Sequence, residues 1–357
     1  MSKNSKEIAN RQRVGVLGAS GYTGAELLRL LAGHSGVEIA FLTAGRHAGK
    51  PIASVFPHLR SLALPDLISI SDVDWNAADV IFCALPHGTT QEVIKKLFEE
   101  APEKKVIDLS ADFRLHNLET YEQWYGHAHQ APLLQEEAVY GLTEVHREAI
   151  KKARLCANPG CYTTTSELPL IPLLANRLIK KDEIIIDAKS GVSGAGRSEK
   201  QKNLHSEVSE GTYAYGIGAH RHAPEIDQEL SLAARKQITV SFTPHLMPMN
   251  RGILATIYVQ INREATVDDL RDCLVARYAD EAFVNILTEG CAPSTKDVRG
   301  SNQCHIGVFA DRLPGRAILI SVTDNLVKGA SGQALQNMNA MCGMPETQGL
   351  EQVALFP

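Results

Sequence analysis

Apolar and polar positions fall into alternating blocks over the first 110 residues. Residues 13–17 (RVGVL), 37–42 (VEIAFL), 79–85 (DVIFCAL) and 105–110 (KVIDLS) are short apolar runs that predict buried strands. Between them, AELLRLLAGH places Leu27, Leu28, Leu30 and Leu31 along one side of a helix that Gly33 or Gly36 can end. TTQEVIKKLFEE predicts a second helix, opening at a threonine cap and stopping before Pro102. Strands alternating with helices predict a parallel, doubly wound sheet, the α/β class.

The pattern changes after about residue 160. Strand candidates become longer and more often adjacent, at 183–189, 238–243, 252–261, 304–310 and 316–323, with one clear helix at 266–278. That is the pattern of an α+β domain with a mixed or antiparallel sheet. A last helix, from about 330 to 342, is placed to return to the first domain.

Composition narrows the function classes. The 357 residues suggest about two domains. Net charge is −5, which argues against a general polyanion binder, so no nucleic-acid partner is expected. Residues 1–12 are polar without an apolar core, and no apolar run is long enough to span a membrane, which predicts a cytoplasmic protein. Seven scattered cysteines include no CxxC pair, so no metal site is expected and the thiols are predicted to be reduced.

Two segments point to a dinucleotide. Gly18, Gly21 and Gly24 follow a strand and open a helix. Glycine permits the tight turn and the close approach of backbone to a pyrophosphate, and the helix N-terminus faces the negative charge. Ser20, Tyr22 and Thr23 belong to the same turn, and Pro86 to a second strand end. NAD sites usually carry an acidic residue after the second strand. Here TAGRHAGK has none, but offers Thr43, Arg46 and Lys50, which suit a 2′-phosphate and predict NADP.

The chemistry centres on CANPGCYTTT, residues 156–165. Cys161 follows a turn made by Asn158, Pro159 and Gly160, and the residues after it can be helical, although Pro169 and Pro172 predict a kinked or short helix. A helix N-terminus lowers a thiol pKa, and only the thiolate is a good nucleophile. In GAHRHAPEI an extended segment would point His220 and His222 to the same side, flanking Arg221, to handle a proton and hold an anion. KSGVSGAGR offers Ser193, Gly194 and Arg197 as an anion nest for a phosphate. Arg114, just beyond a strand end, suits either a substrate carboxylate or a structural salt bridge. NADP with a thiolate and an extra anion site suggests interconversion of an aldehyde with an acyl phosphate. A redox sensor pairing Cys161 with Cys156 is the competing reading.

GASGYTGAELLRLL, ALPHG, DLSADFRL, YGLTE, ANPGCYTT, SGVSGAGR, HRHAPEI and KGASGQALQN stand in the order found in N-acetyl-gamma-glutamyl-phosphate reductases, and the chain resembles that family from about residue 13 to its end. The resemblance implies a Rossmann-type NADP-binding domain (1–157 and 326–357) and a catalytic α+β domain (158–325) that also mediates dimerisation. It implies Cys161 as nucleophile, His222 as acid/base, His220 and Arg221 near substrate, and Gly329, Ser331, Gly332 and Gln333 near the cofactor. It further implies a role in arginine biosynthesis, a small-molecule substrate and a homo-oligomer, dimer or tetramer.

Overall fold

The computed structural model describes residues 11–357, so most of the polar 1–12 segment lies outside the described residues. The chain divides into two compact units.

The first unit comprises the chain up to Pro159 and Ala330–Glu351. Its strands are β1 (Gln12–Leu17), β2 (Val37–Thr43), β3 (Leu67–Ile68), β4 (Val80–Cys83), β5 (Lys105–Asp108), β6 (Val139–Tyr140) and β7 (Leu155–Ala157), in the order β3-β2-β1-β4-β5-β7-β6. All pairs are parallel. The order reverses between β1 and β4, the crevice where ligands meet such sheets. Helices α1 (Tyr22–Leu31) and α2 (Thr90–Glu100) take the predicted places, and Leu27, Leu28, Leu30 and Leu31 are buried. Shorter helices follow: α3 (Leu118–Tyr125), α4 (Pro132–Glu137) and α5 (Thr143–Ile150).

The start of α2 differs from the sequence reading. Thr89 makes no side-chain cap bond; its hydroxyl donates to Pro86 O at 2.7 Å. Asp112 caps the helix instead, accepting from Thr90 N at 3.0 Å, Thr90 Oγ1 at 2.7 Å and Gly88 N at 2.7 Å.

The second unit comprises Gly160–Gly329 and Gln352–Pro357. It contains α6 (Cys161–Ala175), β8 (Ile185–Gly191), α7 (His205–Val208), β9 (Tyr213–Ala214), α8 (Ala223–Ala234), β10 (Ser241–Met247), β11 (Ile253–Gln260), α9 (Val267–Tyr278), β12 (Val284–Ile286), β13 (Cys304–Ala310) and β14 (Arg316–Thr323). Its sheet runs β12-β13-β14-β11-β8-β10-β9 and is mixed: β8 pairs β10 and β12 pairs β13 in parallel, and the rest are antiparallel. Along β11, Ile253, Ala255, Ile257 and Val259 are buried and the intervening residues less so, as expected of a sheet covered on one face.

The helix α6 corrects a prediction. It runs unbroken through Pro169 and Pro172. A proline at 172 leaves the Leu168 carbonyl without its helical donor, and the Tyr278 hydroxyl supplies one at 2.6 Å. Tyr162–Leu174 is buried along the whole helix, so no amphipathic stripe marked it.

The last helix, α10 (Gly332–Met341), is buried in the first unit through polar pairs: Thr143 Oγ1 to Asn337 Oδ1 at 2.7 Å, Asn337 Nδ2 to Gly141 O at 2.8 Å and His34 Nε2 to Asn339 Oδ1 at 3.0 Å. Against the expected limits, Asn158 and Pro159 group with the first unit, and Leu326–Gly329 and Gln352–Pro357 with the second. Leu355 N–H donates to Arg299 O and ties the tail there. Among the described residues no helix is long and apolar enough to cross a membrane.

Candidate active site

The glycine turn of the first unit divides its labour. Gly18 has φ +78°, and a Cβ there would stand 2.5 Å from Ala84 O; a Cβ on Gly24 would stand 2.7 Å from Ala19 Cα. Both are required by the protein's own packing. A Cβ on Gly21 would meet no atom closer than 3.7 Å, so its bareness leaves room for a ligand. Gly21 is the N-cap of α1, which has no side-chain cap bond and no acidic residue in its first turn. An anion suits that end by charge and by hydrogen bonding.

Around the turn, Ser20 and Thr23 are half-buried and Tyr22 is exposed. Ser331 Oγ donates to Thr23 O at 2.8 Å, which places the segment before α10 against the turn. Thr43 is buried, and its hydroxyl accepts from Gly18 N at 3.2 Å, so it braces the turn from beneath. Arg46 and Lys50 are exposed on the loop beyond β2, and Arg46 Nε donates to His47 Nε2 at 3.2 Å. Pro86 is exposed at the end of β4. Arg114 is buried and donates from Nη2 to Leu109 O at 2.9 Å. It lies beside Asp108, whose carboxyl burial and then the Asp112 charge push up to about 7.

The second unit holds the thiol. Cys161 is the first residue of α6, half-buried, with Gly160 as N-cap and no acidic residue in the first turn. Tyr162 follows it; the Tyr162 hydroxyl lies 3.0 Å from that of Tyr215. The rings of His220 and His222 stand 5.6 and 5.8 Å from that of Tyr162, and 4.8 Å from each other. Tyr215 lies 5.4 Å from His220, and its hydroxyl is raised to about 12, chiefly by burial, with Cys161's charge contributing. The structure therefore brings the rings of Tyr162, Tyr215, His220 and His222 together, with Cys161 adjacent to Tyr162 in the chain.

The HRH segment is not extended. His220–His222 form a turn into α8, and His222 is its N-cap. His222 N donates to His220 Nδ1 at 3.1 Å. Burial, then the Arg221 charge, lower His220 to about 4, so at neutral pH it offers a hydrogen bond but no positive charge. Arg221 is exposed.

The 189–197 loop is also more committed than its glycines suggested. Gly191, Val192 and Ser193 N–H groups donate to Gly252, Met249 and Asn250 carbonyls, and Ser193 Oγ accepts from Asn325 Nδ2 at 2.9 Å. Gly194 and Arg197 are exposed. Gly329 lies against the thiol: a Cβ on it would stand 2.7 Å from that of Cys161. Among the described residues no group of three metal-ligating side chains is found. Cys156 is wholly buried in β7 and its thiol is pushed up by burial, which disfavours exchange chemistry there.

Sequence reasoning missed Tyr215 and Glu225. A glutamate three residues after His222 is a helix-start signal, but only the fold shows where its carboxylate goes.

Both parts of the chain are similar to known proteins. Residues 13–153 match the family described as semialdehyde dehydrogenase, NAD binding domain, and residues 161–325 match semialdehyde dehydrogenase, dimerisation domain. The probable chloroplastic N-acetyl-gamma-glutamyl-phosphate reductase of Arabidopsis thaliana is 60% identical over 345 residues, 97% of this chain and 85% of its own. The N-acetyl-gamma-glutamyl-phosphate reductase of Rhodospirillum rubrum is 60% identical over 352 residues, 98% of this chain and 100% of its own. Among solved structures, aspartate semialdehyde dehydrogenase II from Vibrio cholerae, complexed with ASA, shares the fold at TM-score 0.72 and 17% identity, covering 93% of this chain and 98% of that one. Aspartate semialdehyde dehydrogenase with NADP from Candida albicans does so at TM-score 0.67 and 17% identity, covering 93% of this chain and 98% of that one. The chain belongs to the N-acetyl-gamma-glutamyl-phosphate reductase family, on the semialdehyde dehydrogenase fold.

Proposed function

We propose that the chain reduces N-acetyl-L-glutamyl 5-phosphate to N-acetyl-L-glutamate 5-semialdehyde, releasing phosphate, with NADPH as reductant and a thioester on Cys161. What supports this reading is Cys161 at the first position of α6, next to Tyr162, whose ring packs against those of His220 and His222.

His222 takes the thiol proton, and the Cys161 sulfur attacks the acyl carbon. Backbone N–H groups at the start of α6 stabilise the oxyanion. The carbon–oxygen bond to phosphate breaks and a thioester remains. NADPH, when bound, supplies a hydride to the thioester carbon. As the carbonyl re-forms, the carbon–sulfur bond breaks, and His222 returns its proton to the departing sulfur.

Arg221, exposed beside the histidines, binds the substrate α-carboxylate; Arg114 is already bonded inward. Ser193, Gly194 and Arg197 receive the phosphate. For the cofactor, Gly18, Ser20, Gly21, Tyr22, Thr23 and Gly24 form the pyrophosphate turn, with Pro86, Gly329 and Ser331 near the nicotinamide half. The space over Gly21 and the uncapped start of α1 fit a pyrophosphate. Arg46 and Lys50, with Thr43 beneath, favour NADP over NAD. The dimerisation-domain match supports a homo-oligomer, dimer or tetramer. Seven cysteines, none in a disulfide among the described residues, support a reducing compartment, the cytoplasm.

The reaction is tested in reverse. N-acetylglutamate semialdehyde, NADP⁺ and phosphate should give NADPH absorbance that vanishes without phosphate and is absent with aspartate semialdehyde. Turnover with another aldehyde alone would discard the substrate. No turnover from protein that binds NADPH would discard the reaction.

A further inference from the structure

We propose that Asn325 is a positioning residue that makes the Ser193 hydroxyl a fixed donor to the phosphate, and so sets the hold of the site on that anion. The proposal rests on the reading that the 193–197 loop receives phosphate.

The loop spends its first N–H groups on its own packing. Those of Gly191, Val192 and Ser193 go to the carbonyls of Gly252, Met249 and Asn250. An anion held there needs side-chain donors as well. The loop lies beside the tyrosine and histidine rings: the Tyr162 hydroxyl bonds the Ser190 side chain, and a Cβ on Gly194 would stand 2.9 Å from Ser190 Oγ.

Asn325 follows β14 by two residues and is only 2% exposed. Its Oδ1 accepts from Gly252 N at 2.7 Å, and its Nδ2 donates to Ser193 Oγ at 2.9 Å. A backbone N–H can only donate, so the amide corner facing Gly252 is the oxygen. The corner facing Ser193 is then the nitrogen, which also only donates. Gly252 anchors both partners, since its carbonyl takes the Gly191 N–H at 2.9 Å while its N–H goes to Asn325.

Ser193 Oγ receives the amide proton on a lone pair, which aims its own O–H away from Asn325. Among the described residues that hydroxyl proton has no acceptor. Ser193 is half-buried, so the proton is within reach of a ligand. A phosphate dianion offers acceptors only, and its bond to a hydroxyl is of the strong, charge-assisted kind. With the amide in place the hydroxyl meets the anion already turned, and less rotational freedom is lost on binding.

The test uses the full-length protein as wild type, Asn325→Asp, Ser193→Ala and the double variant. Each is run in the semialdehyde-oxidising direction, and KM is read separately for inorganic phosphate, semialdehyde and NADP⁺. Asn325→Asp keeps an oxygen for Gly252 N and replaces the nitrogen by an acceptor, so the Ser193 proton turns inward. KM for phosphate should rise about tenfold or more in each single variant. KM for semialdehyde and NADP⁺ should stay within about threefold, which a general loosening of the fold would not give. The double variant should be no worse than the poorer single variant by more than about threefold, because both changes remove one bond. Wild-type KM for phosphate in Asn325→Asp overturns the proposal. So do losses that multiply in the double variant, since Asn325 would then act without Ser193. If Asn325→Asp does not fold, Asn325→Leu is judged by the same criteria. Wild-type KM for phosphate in Ser193→Ala would remove the loop as the phosphate site, and phosphate-independent turnover by wild type would remove the reaction; both failures are distinct from that of Asn325.

Discussion

Gly329 lies so close to Cys161 that a methyl group on it would stand 2.7 Å from the cysteine Cβ and 3.2 Å from its Cα. Its φ is not in the left-handed region, so space alone demands the glycine. It belongs to a π-turn, Val327–Ser331, held by Gly329 N–H to Asp324 O at 2.9 Å, and such turns recur at functional sites. Gly329→Ala should displace the thiol. Stability should fall by about 1–3 kcal/mol, and kcat by about tenfold or more. Urea unfolding and steady-state kinetics on one preparation check this. An unchanged kcat would mean that the thiol tolerates movement.

The glycine turn offers a paired prediction. Gly24→Ala puts a methyl 2.7 Å from Ala19 Cα and should destabilise the first unit itself, lowering Tm. Gly21→Ala meets no protein atom within 3.7 Å and should leave Tm unchanged, yet raise the Kd for NADPH about tenfold or more. Equal NADPH affinity in Gly21→Ala and wild type would put the pyrophosphate elsewhere.

Arg46 and Lys50 are exposed, so neutralising both should cost little stability. Arg46→Ala with Lys50→Ala should weaken NADPH by about tenfold or more and leave NADH affinity nearly as it was. Isothermal titration with both nucleotides decides it. Equal loss for the two would assign these cations to something other than the 2′-phosphate.

The residues that could be read from sequence were those whose reason is local. Gly18 and Gly24 announce a tight turn because no side chain fits there, and the leucines of α1 announce a buried stripe. The length of helix α6 could not be read, because it is buried all round and the carbonyl that Pro172 orphans is bonded by a hydroxyl more than 100 residues away in sequence. The HRH segment was read as extended because its histidine spacing suits a strand. Its real conformation is set by the start of α8, where His222 N donates to His220 Nδ1. Arg114 shows the same limit: sequence gives its charge, and only packing shows it turned toward Leu109 O.

The tolerance of Pro172 can be tested at its partner. Tyr278→Phe removes the one hydroxyl that bonds the Leu168 carbonyl and changes little else in volume. A buried acceptor left unpaired costs about 1–3 kcal/mol. Denaturant unfolding should show a loss in that range, with kcat nearly unchanged, because Tyr278 lies in α9, apart in sequence from the catalytic residues. A loss well below that range would mean that water or a neighbour replaces the hydroxyl.

Asp108 makes the first unit's stability depend on pH with a definite sign. Its carboxyl is wholly buried, and burial followed by the Asp112 charge raise it from an ordinary 3.8 to about 7. Between those values the folded protein holds a proton that the unfolded chain has released. This group therefore favours folding fully below about pH 4; its contribution falls as pH rises through the interval and is gone above about 7. The total is on the order of a few kcal/mol. Asp108→Asn keeps an oxygen to accept from Ser110 N, now 2.9 Å from Oδ1, and removes the titration. The fall in unfolding free energy from pH 5 to pH 8 should be smaller in Asp108→Asn than in wild type, and at pH 8 the variant should be at least as stable. Asp227, raised to about 6 by burial, stays in both proteins and cancels in the comparison. Identical pH slopes would mean that Asp108 is ionised throughout, with its charge carried by the hydrogen bonds from Ser110 and Thr90.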